Sequence, residues 1–440
     1  MGDGHVFLRR LDIPLPQALK AKGSWIEDTQ GRKYLDASGG AVVVNLGHGR
    51  EEIATAVYNQ ILKCHYAHPT MFTTPVVEEL AKALVKHAPV GIDRFYFLSS
   101  GGEAVETAIK MARQIHIETG QGKKVYLISR WKSYHGLTFG ALAASGRAFF
   151  RTPFVPMLPE VVHIHPPYCL RCFYGKTYPG CDLRCAIELE QTIQNLGPET
   201  VCAFLAETVS GASLASYPPP SDYWPLIREI CDRYNVLLIL DEVMCGMGRT
   251  GKWFAVEHYG ITPDIIILGK GMSGGTIALS AVGVQSKYFE IFRQSKTGFV
   301  HGGTYSHHPV AAAAGLATIA IMERDNLVDR AAKTGAFLGT QLTGRLEAHP
   351  QVIDVRGIGM LWGVELAKDK ETLEPFPRRD KVIEQVWNYL FKEGIITYRS
   401  TGLAGTHGDA LVVAPPFTID RNDIEHLVDT IAKAVKIIFG

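Results

Sequence analysis

The chain has 440 residues, of which 46% are hydrophobic and 20% are charged. These proportions are typical of a globular protein and exclude a mostly disordered chain. Lys and Arg together number 45 and Asp and Glu 44, so the formal net charge is only +1. A charge so close to zero argues against a broad phosphate-neutralising surface, and therefore against a dedicated nucleic-acid-binding protein.

The sequence contains no run close to the roughly 18 consecutive apolar residues that a membrane-spanning helix needs. Its first ten residues, MGDGHVFLRR, lack the apolar centre of a signal peptide. The chain starts with Met-Gly, but Val6 stands where a myristoylation motif requires Ser or Thr. We therefore expect a cytoplasmic protein without a membrane partner. Its eight cysteines are expected to be free thiols or metal ligands rather than disulfides.

The middle of the chain alternates short apolar runs with segments of helical periodicity. The runs are uninterrupted, as in strands that are buried on both faces of a mostly parallel sheet. Residues 105–112 carry one apolar helical stripe and residues 223–234 carry another. The alternation predicts a three-layer α/β domain. The predicted strands are residues 95–98, 125–128, 203–206, 236–240, 265–268 and 281–284.

The two ends of the chain show a different pattern. Apolar residues recur at helical spacing in residues 424–438, and residues 380–392 form a helix candidate with Gly394 as its C-cap. Short strands are predicted at residues 25–26 and 34–35. We predict an N-terminal segment, residues 1–55, that packs with a smaller α+β domain, residues 321–440. The large domain is predicted to span residues 56–320.

Two polar residues follow neighbouring apolar runs. Asp241 ends the run VLLILD, and Lys270 follows DIIILG. In open α/β sheets, ligands bind beyond the carboxyl ends of the strands. Burial lowers the pKa of a lysine amine, and such an amine can form a Schiff base with a carbonyl. Each residue alone could be structural, as a cap, a salt-bridge partner or a surface lysine, but together they place an acid and an amine on one rim.

Two loops supply further candidates. Ser100, Gly101 and Gly102 precede a helix, and small residues at a helix N-terminus suit a phosphate. The segment is neither GxxxxGK[ST] nor GxGxxG, so a nucleotide is not indicated. Tyr134, in the loop of residues 133–136, could stack on a flat ring or simply pack in the loop. The four pieces together indicate a flat, phosphorylated, aldehyde-bearing cofactor with a pyridine-type nitrogen.

At these residues the sequence resembles the class III pyridoxal-phosphate (PLP) aminotransferases, the ω-aminotransferase group of fold type I. The resemblance runs over nearly the whole chain, from GRKYLDASGGAVVVNLGHG through SSGGEAVETAIKMAR, YHG and AETVSG to GDALVVAPPF. Its longest part is LLILDEVMCGMGRTGKWFAVEHYGITPDIIILGKGMSGG. It implies a large three-layer α/β domain with a mostly parallel sheet and a smaller α+β domain.

The resemblance also implies roles for individual residues. Lys270 would form the Schiff base with PLP and move the proton, and Asp241 would keep the pyridine nitrogen protonated so that the ring acts as an electron sink. Glu207 matches a glutamate near cofactor and substrate. Thr304 would reach the phosphate of the PLP bound in the neighbouring subunit, because the active sites of this family lie at a dimer interface. The implied cofactor-binding residues are Ser100, Gly101, Gly102, Tyr134, His135, Asp241, Val243, Lys270 and Thr304, with Val243 and Tyr134 on opposite faces of the ring.

Three positions depart from the family pattern. Gly102 stands where the family usually has Ser or Thr, and Thr208 replaces the proline of AEPV. Many members carry an arginine shortly before the GD of the C-terminal motif, where it binds a substrate carboxylate. Here the stretch Thr406–Asp409 has none, and Arg399 lies upstream, out of register. A guanidinium clamp is not replaced by Thr or neutral His.

The cysteines at 169, 172, 181 and 185 have the pattern CxxC…CxxxC within an insert rich in Pro, Tyr and Gly. This spacing is compatible with structural zinc, with free thiols, or with disulfides in an oxidised protein. We expect no metal in the active site. A zinc nucleobase deaminase is not indicated, because the H-x-E motif is missing near His163 and His165.

Tyr66 could form an aromatic wall of the substrate pocket, or its side chain could simply pack in the protein interior.

The sequence therefore predicts a PLP-dependent aminotransferase that moves the amino group of a primary amine or ω-amino acid to a keto acid, such as pyruvate, or to an aldehyde. A homodimer is expected, with a tetramer as the alternative. The same scaffold also supports other activities, namely those of an ammonia-lyase, a phospho-lyase, a racemase or an aminomutase. A non-catalytic binding protein would be expected to lack Lys270, Asp241 or the phosphate turn, and all are present.

Overall fold

The computed structural model describes residues 5–11 and 13–440, and its strands form three sheets of seven, four and four strands. The first four residues, which include the Met-Gly start, lie outside the described residues. Numbered in chain order, the strands are β1 (Ala18–Lys22), β2 (Trp25–Asp28), β3 (Lys33–Asp36), β4 (Ile92–Leu98), β5 (Tyr126–Arg130), β6 (Val162–Ile164), β7 (Val201–Glu207), β8 (Leu237–Asp241), β9 (Ile265–Leu268), β10 (Ser280–Gln285), β11 (Val352–Ile358), β12 (Leu361–Leu366), β13 (Ile395–Ile396), β14 (Tyr398–Ala404) and β15 (His407–Val413).

Helices cover both faces of the seven-stranded sheet and flank the smaller sheets. The predicted final helix is present as the last of them, and the helix predicted at residues 380–392 begins two residues later than expected. In chain order the helices are α1 (Gly39–Val42), α2 (Glu51–Cys64), α3 (Pro75–Val85), α4 (Gly101–Glu118), α5 (Phe139–Ala144), α6 (Ala148–Arg151), α7 (Arg184–Leu196), α8 (Tyr223–Arg233), α9 (Ser286–Gln294), α10 (Pro309–Arg324), α11 (Leu327–Leu346), α12 (Val382–Lys392) and α13 (Arg421–Phe439).

The seven-stranded sheet has the order β4-β10-β9-β8-β7-β5-β6. All six predicted strands are in it, and only β10 runs antiparallel to its neighbours. The seventh strand, β6, was not predicted, because it has only three residues and one of them is His163. The prediction of a mostly parallel sheet is confirmed.

Residues of β8 alternate between the two faces of the sheet. Leu238 and Leu240 belong to the hydrophobic cluster that includes α8, whereas Leu237 and Ile239 belong to the cluster that includes α4. Strand β8 therefore buries both faces, as a continuous apolar run in the middle of a sheet requires. This confirms the three-layer α/β architecture.

The carboxyl ends of three neighbouring parallel strands meet at one edge of the sheet. Glu207, the last residue of β7, pairs with Asp241, the last residue of β8, and Asp241 pairs in turn with Ile267 of β9. Lys270 follows β9 by two residues. The register thus brings the predicted acid and the predicted amine to the same edge.

The N-terminal segment contacts the C-terminal part of the chain. Strand β3 pairs in parallel with β13, with Leu35 opposite Ile395. The indole N–H of Trp25 donates to Asp423 Oδ2 of α13 at 3.1 Å. The predicted boundaries after residues 55 and 320 fall inside α2 and α10, and the division into domains remains a prediction.

No helix in the described part of the chain combines the length and the apolar character needed to cross a membrane.

Candidate active site

A cavity of about 510 Å³ lies at the carboxyl edge of the seven-stranded sheet. Most of its wall comes from the loops after β4, β5, β7, β8 and β9, and the N-terminal segment, α1 and the first residue of β14 complete it. Thr304 is exposed and does not line this cavity. Nine of the ten predicted site residues do line it, namely Ser100, Gly101, Gly102, Tyr134, His135, Glu207, Asp241, Val243 and Lys270.

Asp241 and His135 form a buried pair on the wall of the cavity. A distance of 2.7 Å joins His135 Nδ1 to Asp241 Oδ2, and because a carboxylate only accepts, Nδ1 donates. The amide of Val243 donates to the other oxygen, Asp241 Oδ1, at 3.0 Å. His135 is itself positioned by its backbone amide, which donates to Ser145 Oγ at 2.8 Å. The carboxylate is thus held in one orientation.

Lys270 begins a short 3₁₀ turn directly after Gly269. Its φ of 43° lies in the left-handed region, which non-glycine residues rarely adopt and which is often found at functional sites. Among the described residues, its Nζ has no hydrogen-bond or ion-pair partner. Burial lowers the pKa of this amine, and the charges of Asp241 and Glu207 oppose that shift. The cavity therefore contains an uncommitted, desolvated amine.

The N-terminus of α4 opens into the same cavity. Ser100 caps the helix, since its side chain accepts from the Glu103 amide at 3.3 Å, while the Ser100 amide donates to Glu103 Oε2 at 3.1 Å. The amides of Gly101 and Gly102 belong to the first turn and have no intrahelical acceptor. Such amides, with the partial positive charge of the helix end, form a site for an anionic group.

Close backbone approach explains two glycines at this helix end. A Cβ on Gly136, whose φ is 134°, would lie 3.0 Å from Gly102 Cα and 3.0 Å from Ala141 Cβ. A Cβ on Gly101 would lie 3.2 Å from Val243 Cγ1. The loop of Tyr134 and the loop of Val243 therefore both pack directly against the helix N-terminus, and Tyr134 and Val243 come to line one cavity.

Glu207 is 5% exposed, and its carboxylate accepts three hydrogen bonds. The Gly211 amide donates to Oε1 at 3.0 Å, and Ser213 Oγ and the Tyr134 amide donate to Oε2 at 3.1 and 3.3 Å. These donors hold Glu207 and the loop of Tyr134 together. Its carboxylate lines the cavity with its lone pairs largely occupied.

The strand β14 presents Tyr398 to the cavity and turns the next residue, Arg399, away from it. Arg399 Nη1 lies 3.5 Å from Glu384 Oε1 of α12, and its guanidinium carbon lies 5.4 Å from the centre of the Trp387 ring. Successive side chains of a strand point to opposite faces, so the upstream arginine does not supply the missing clamp. Tyr66 also lies outside the cavity, edge-on to Tyr305 with ring centres 6.5 Å apart.

Arg9, Arg147, Phe150 and Tyr398 are among the residues of the cavity wall that the sequence pattern did not indicate. Arg147 and Phe150 lie about one helical turn apart in the segment after α5, and Arg9 comes from the N-terminal segment. In the sequence, only the pair of basic residues Arg147 and Arg151, downstream of the Tyr134 loop, could have pointed to this wall. The pair does not by itself predict a binding site, because the residues that contact Arg147 are distant in sequence.

The four cysteines of the insert line one small cavity of about 20 Å³. All are free thiols, and burial raises the pKa of Cys169 and raises that of Cys185 to about 12. No group of three or more His, Cys, Asp or Glu residues in the described ranges is arranged to hold a metal ion. The spacing brings the thiols together without creating a metal-binding geometry.

The sequence matches the family Aminotransferase class-III over residues 10–435. The putrescine–pyruvate aminotransferase of Pseudomonas aeruginosa is 37% identical over 426 residues, which cover 94% of this chain and 89% of that protein. The diaminobutyrate–2-oxoglutarate transaminase of Halomonas elongata is 35% identical and covers 96% of this chain and 91% of that protein. The crystal structure of an (S)-enantioselective omega-transaminase from Thermomicrobium roseum has a TM-score of 0.92 at 37% identity, over 97% of this chain and 93% of that one.

These likenesses extend over nearly the full length of the chain rather than over one motif. They agree with the three-layer architecture and with the position of the cavity at the carboxyl edge of its sheet. The chain belongs to the class III aminotransferase family.

Proposed function

We propose that the protein is a PLP-dependent aminotransferase that takes an amino group from a primary amine or ω-amino acid. In the second half of a ping-pong cycle, it would pass that group to a keto acid, such as pyruvate, or to an aldehyde. One observation carries the proposal: a desolvated lysine amine, a fixed carboxylate and an open helix N-terminus line the same cavity.

The residues present fit PLP. The amides of Gly101 and Gly102 suit its phosphate, because they are unpaired donors at a helix N-terminus. Asp241 suits the ring nitrogen, since the His135 and Val243 donors leave its carboxylate at the cavity wall. Tyr134 and Val243 would hold the two faces of the ring.

When bound, PLP supplies an aldehyde that condenses with amines and a ring that delocalises the charge left on the amine carbon. Asp241 would keep a proton on the ring nitrogen by placing a negative charge beside it. The Lys270 Nζ, free of other partners in the described chain, would take the proton from the substrate carbon and return it. Its lowered pKa favours the neutral amine that this step needs.

We further propose a homodimer in which the partner subunit's Thr304 completes the phosphate site. Thr304 of this chain is exposed and outside its own cavity, which supports a role for it in another subunit. The family relationship supports the same assembly. Exchange of Thr304 for Val should weaken PLP retention on dialysis, and unchanged retention would contradict this part of the proposal.

A half-reaction tests the function. Purified protein loaded with PLP is mixed with single amines in the absence of an acceptor, while visible absorbance and free ammonia are followed. Transamination predicts that the absorbance bleaches, stays bleached, and returns when pyruvate is added, with no ammonia formed. Ammonia accumulating while the colour persists would show a lyase and contradict the proposal.

A further inference from the structure

Two arginines converge on one aromatic ring at the cavity wall. The guanidinium carbons of Arg147 and Arg9 each lie 5.4 Å from the centre of the Phe150 ring. Arg147 is half-buried, whereas Arg9 is exposed. Both line the cavity that contains Lys270 and Asp241. This wall of the cavity is therefore cationic.

Neither arginine forms an ion pair with a carboxylate within residues 5–11 and 13–440. Arg147 Nη2 donates to the carbonyl oxygen of Thr401 at 3.2 Å, which is a neutral acceptor. Glu207 is the carboxylate whose charge acts on Arg147, but it lies beyond ion-pair distance and accepts three other hydrogen bonds. A half-buried guanidinium with one neutral acceptor has donors left over for an anion.

The position of Arg147 is fixed by the structure on both sides. Its bond to Thr401 ties it to β14, the strand that presents Tyr398 to the cavity. Phe150 packs edge-on to Tyr134, with ring centres 5.7 Å apart. The guanidinium is thus held between the Tyr134 wall and the Tyr398 wall.

We propose that Arg147, assisted by Arg9, binds the carboxylate of the amino acid or keto acid substrate in place of the arginine that the C-terminal motif lacks. The inference rests on the proposed aminotransferase function. A guanidinium forms two parallel hydrogen bonds to a carboxylate, which gives both affinity and orientation. Arg399, which carries the same charge two residues from Thr401, is turned outward to Glu384 and has no such role.

The test compares two donors that differ by the carboxylate, 4-aminobutanoate and n-butylamine, in the half-reaction of the PLP-loaded protein. In Arg147→Gln, the half-saturating concentration of 4-aminobutanoate should rise by about 10- to 100-fold, since a hydrogen-bonded charge pair is lost. The limiting rate should change little. The values for n-butylamine should stay within about two-fold.

Arg399→Gln is the matched control, because it removes the same charge from β14 outside the cavity, and it should leave both donors unchanged. Arg147→Lys keeps the charge but lacks the planar guanidinium, so its half-saturating concentration of 4-aminobutanoate should lie between those of wild type and Arg147→Gln. The lysine variant also provides the test if Arg147→Gln is unstable. An equal loss for both donors, or no loss for 4-aminobutanoate, would overturn the proposal.

Direct binding separates this inference from the proposed function. Calorimetric titration of the PLP-loaded protein with butanoate needs no turnover, so it remains informative if no amine is transaminated. Wild type and Arg399→Gln should bind butanoate with the same affinity, and Arg147→Gln should bind it about 10-fold or more weakly. Equal binding by wild type and Arg147→Gln would refute the role of Arg147 whatever the reaction is.

Discussion

Reactive side chains lie close together at the carboxyl edge of the large sheet and in the cysteine insert, residues 166–185. The environments of these side chains differ between the two regions. At the sheet edge, Asp241 and Glu207 each accept hydrogen bonds from defined donors, and an unpaired lysine amine lies in the same cavity. In the insert, Cys169 and Cys185 are partly buried beside two further cysteines, and desolvation is the largest influence on their thiols and raises their pKa.

This difference shows that proximity alone does not make a reactive site. Burial lowers the pKa of a lysine and produces a nucleophilic amine, whereas burial raises the pKa of a thiol and suppresses its reactive thiolate. The sheet edge also has an open cavity of about 510 Å³, against about 20 Å³ in the insert. Substitutions in the two regions should therefore differ greatly in their effects on activity.

Lys270→Ala should have the largest effect. The variant loses the cavity amine that moves the proton, so turnover should fall on the order of 10⁴-fold or more. Lys287→Ala is the matched control, because Lys287 is an exposed lysine on α9, and it should retain normal turnover. Turnover of Lys270→Ala within ten-fold of wild type would contradict the assignment of the sheet edge as the reacting centre.

Asp241→Asn should have the next largest effect. The amide fills nearly the same volume but carries no charge to keep a proton on the ring nitrogen, so the half-reaction should slow by about 10²- to 10³-fold. The rate is measured in a single turnover with saturating amine. A rate close to wild type, in protein that still binds PLP, would show that the buried carboxylate is merely structural.

His135 should have an intermediate effect, as a positioning residue for Asp241. His135→Phe removes the donor at 2.7 Å and should slow the half-reaction by about 10- to 100-fold. His135→Asn keeps a donor and should recover part of the loss. The pH dependence of the visible spectrum should shift in the phenylalanine variant. A loss of stability without that shift would indicate packing alone.

The cysteine insert should show the smallest effect on activity. Cys172→Ser combined with Cys181→Ser should leave kcat/KM within about two-fold of wild type. Burial raises the pKa of Cys169 and raises that of Cys185 to about 12, so at pH 8 a disulfide reagent should label both thiols more slowly than it labels free cysteine. A loss of activity on treatment with a chelator would show instead that the insert holds a metal ion.

The sheet and its reactive edge were predictable because buried parallel strands are apolar runs that end at a polar residue. Asp241 and Lys270 were found in this way, and the register of β8 with β9 brings them to the same edge of the sheet. The reversed direction of β10 was not predictable, since an apolar run has no direction. The strand β6 was too short to stand out, with only three residues.

The cationic wall could not be predicted, because it depends on contacts between distant segments. Arg147 is held by Thr401, 254 positions later. Whether Tyr398 or Arg399 faces the cavity depends on the register of β14 with β15, in which Tyr398 pairs with Val412, and the sequence alone does not fix that pairing. Likewise, the pairing of His135 with Asp241 follows from two loops that meet only in the folded chain.

Nitrogen tracing tests the central claim most directly. The PLP-loaded protein is supplied with ¹⁵N-labelled 4-aminobutanoate or n-butylamine and with unlabelled pyruvate, and the products are analysed by mass spectrometry. Amino-group transfer at this cavity predicts ¹⁵N in alanine in proportion to the amine consumed, and none in Lys270→Ala. Recovery of the ¹⁵N as ammonium, with unlabelled pyruvate left unchanged, would contradict the account.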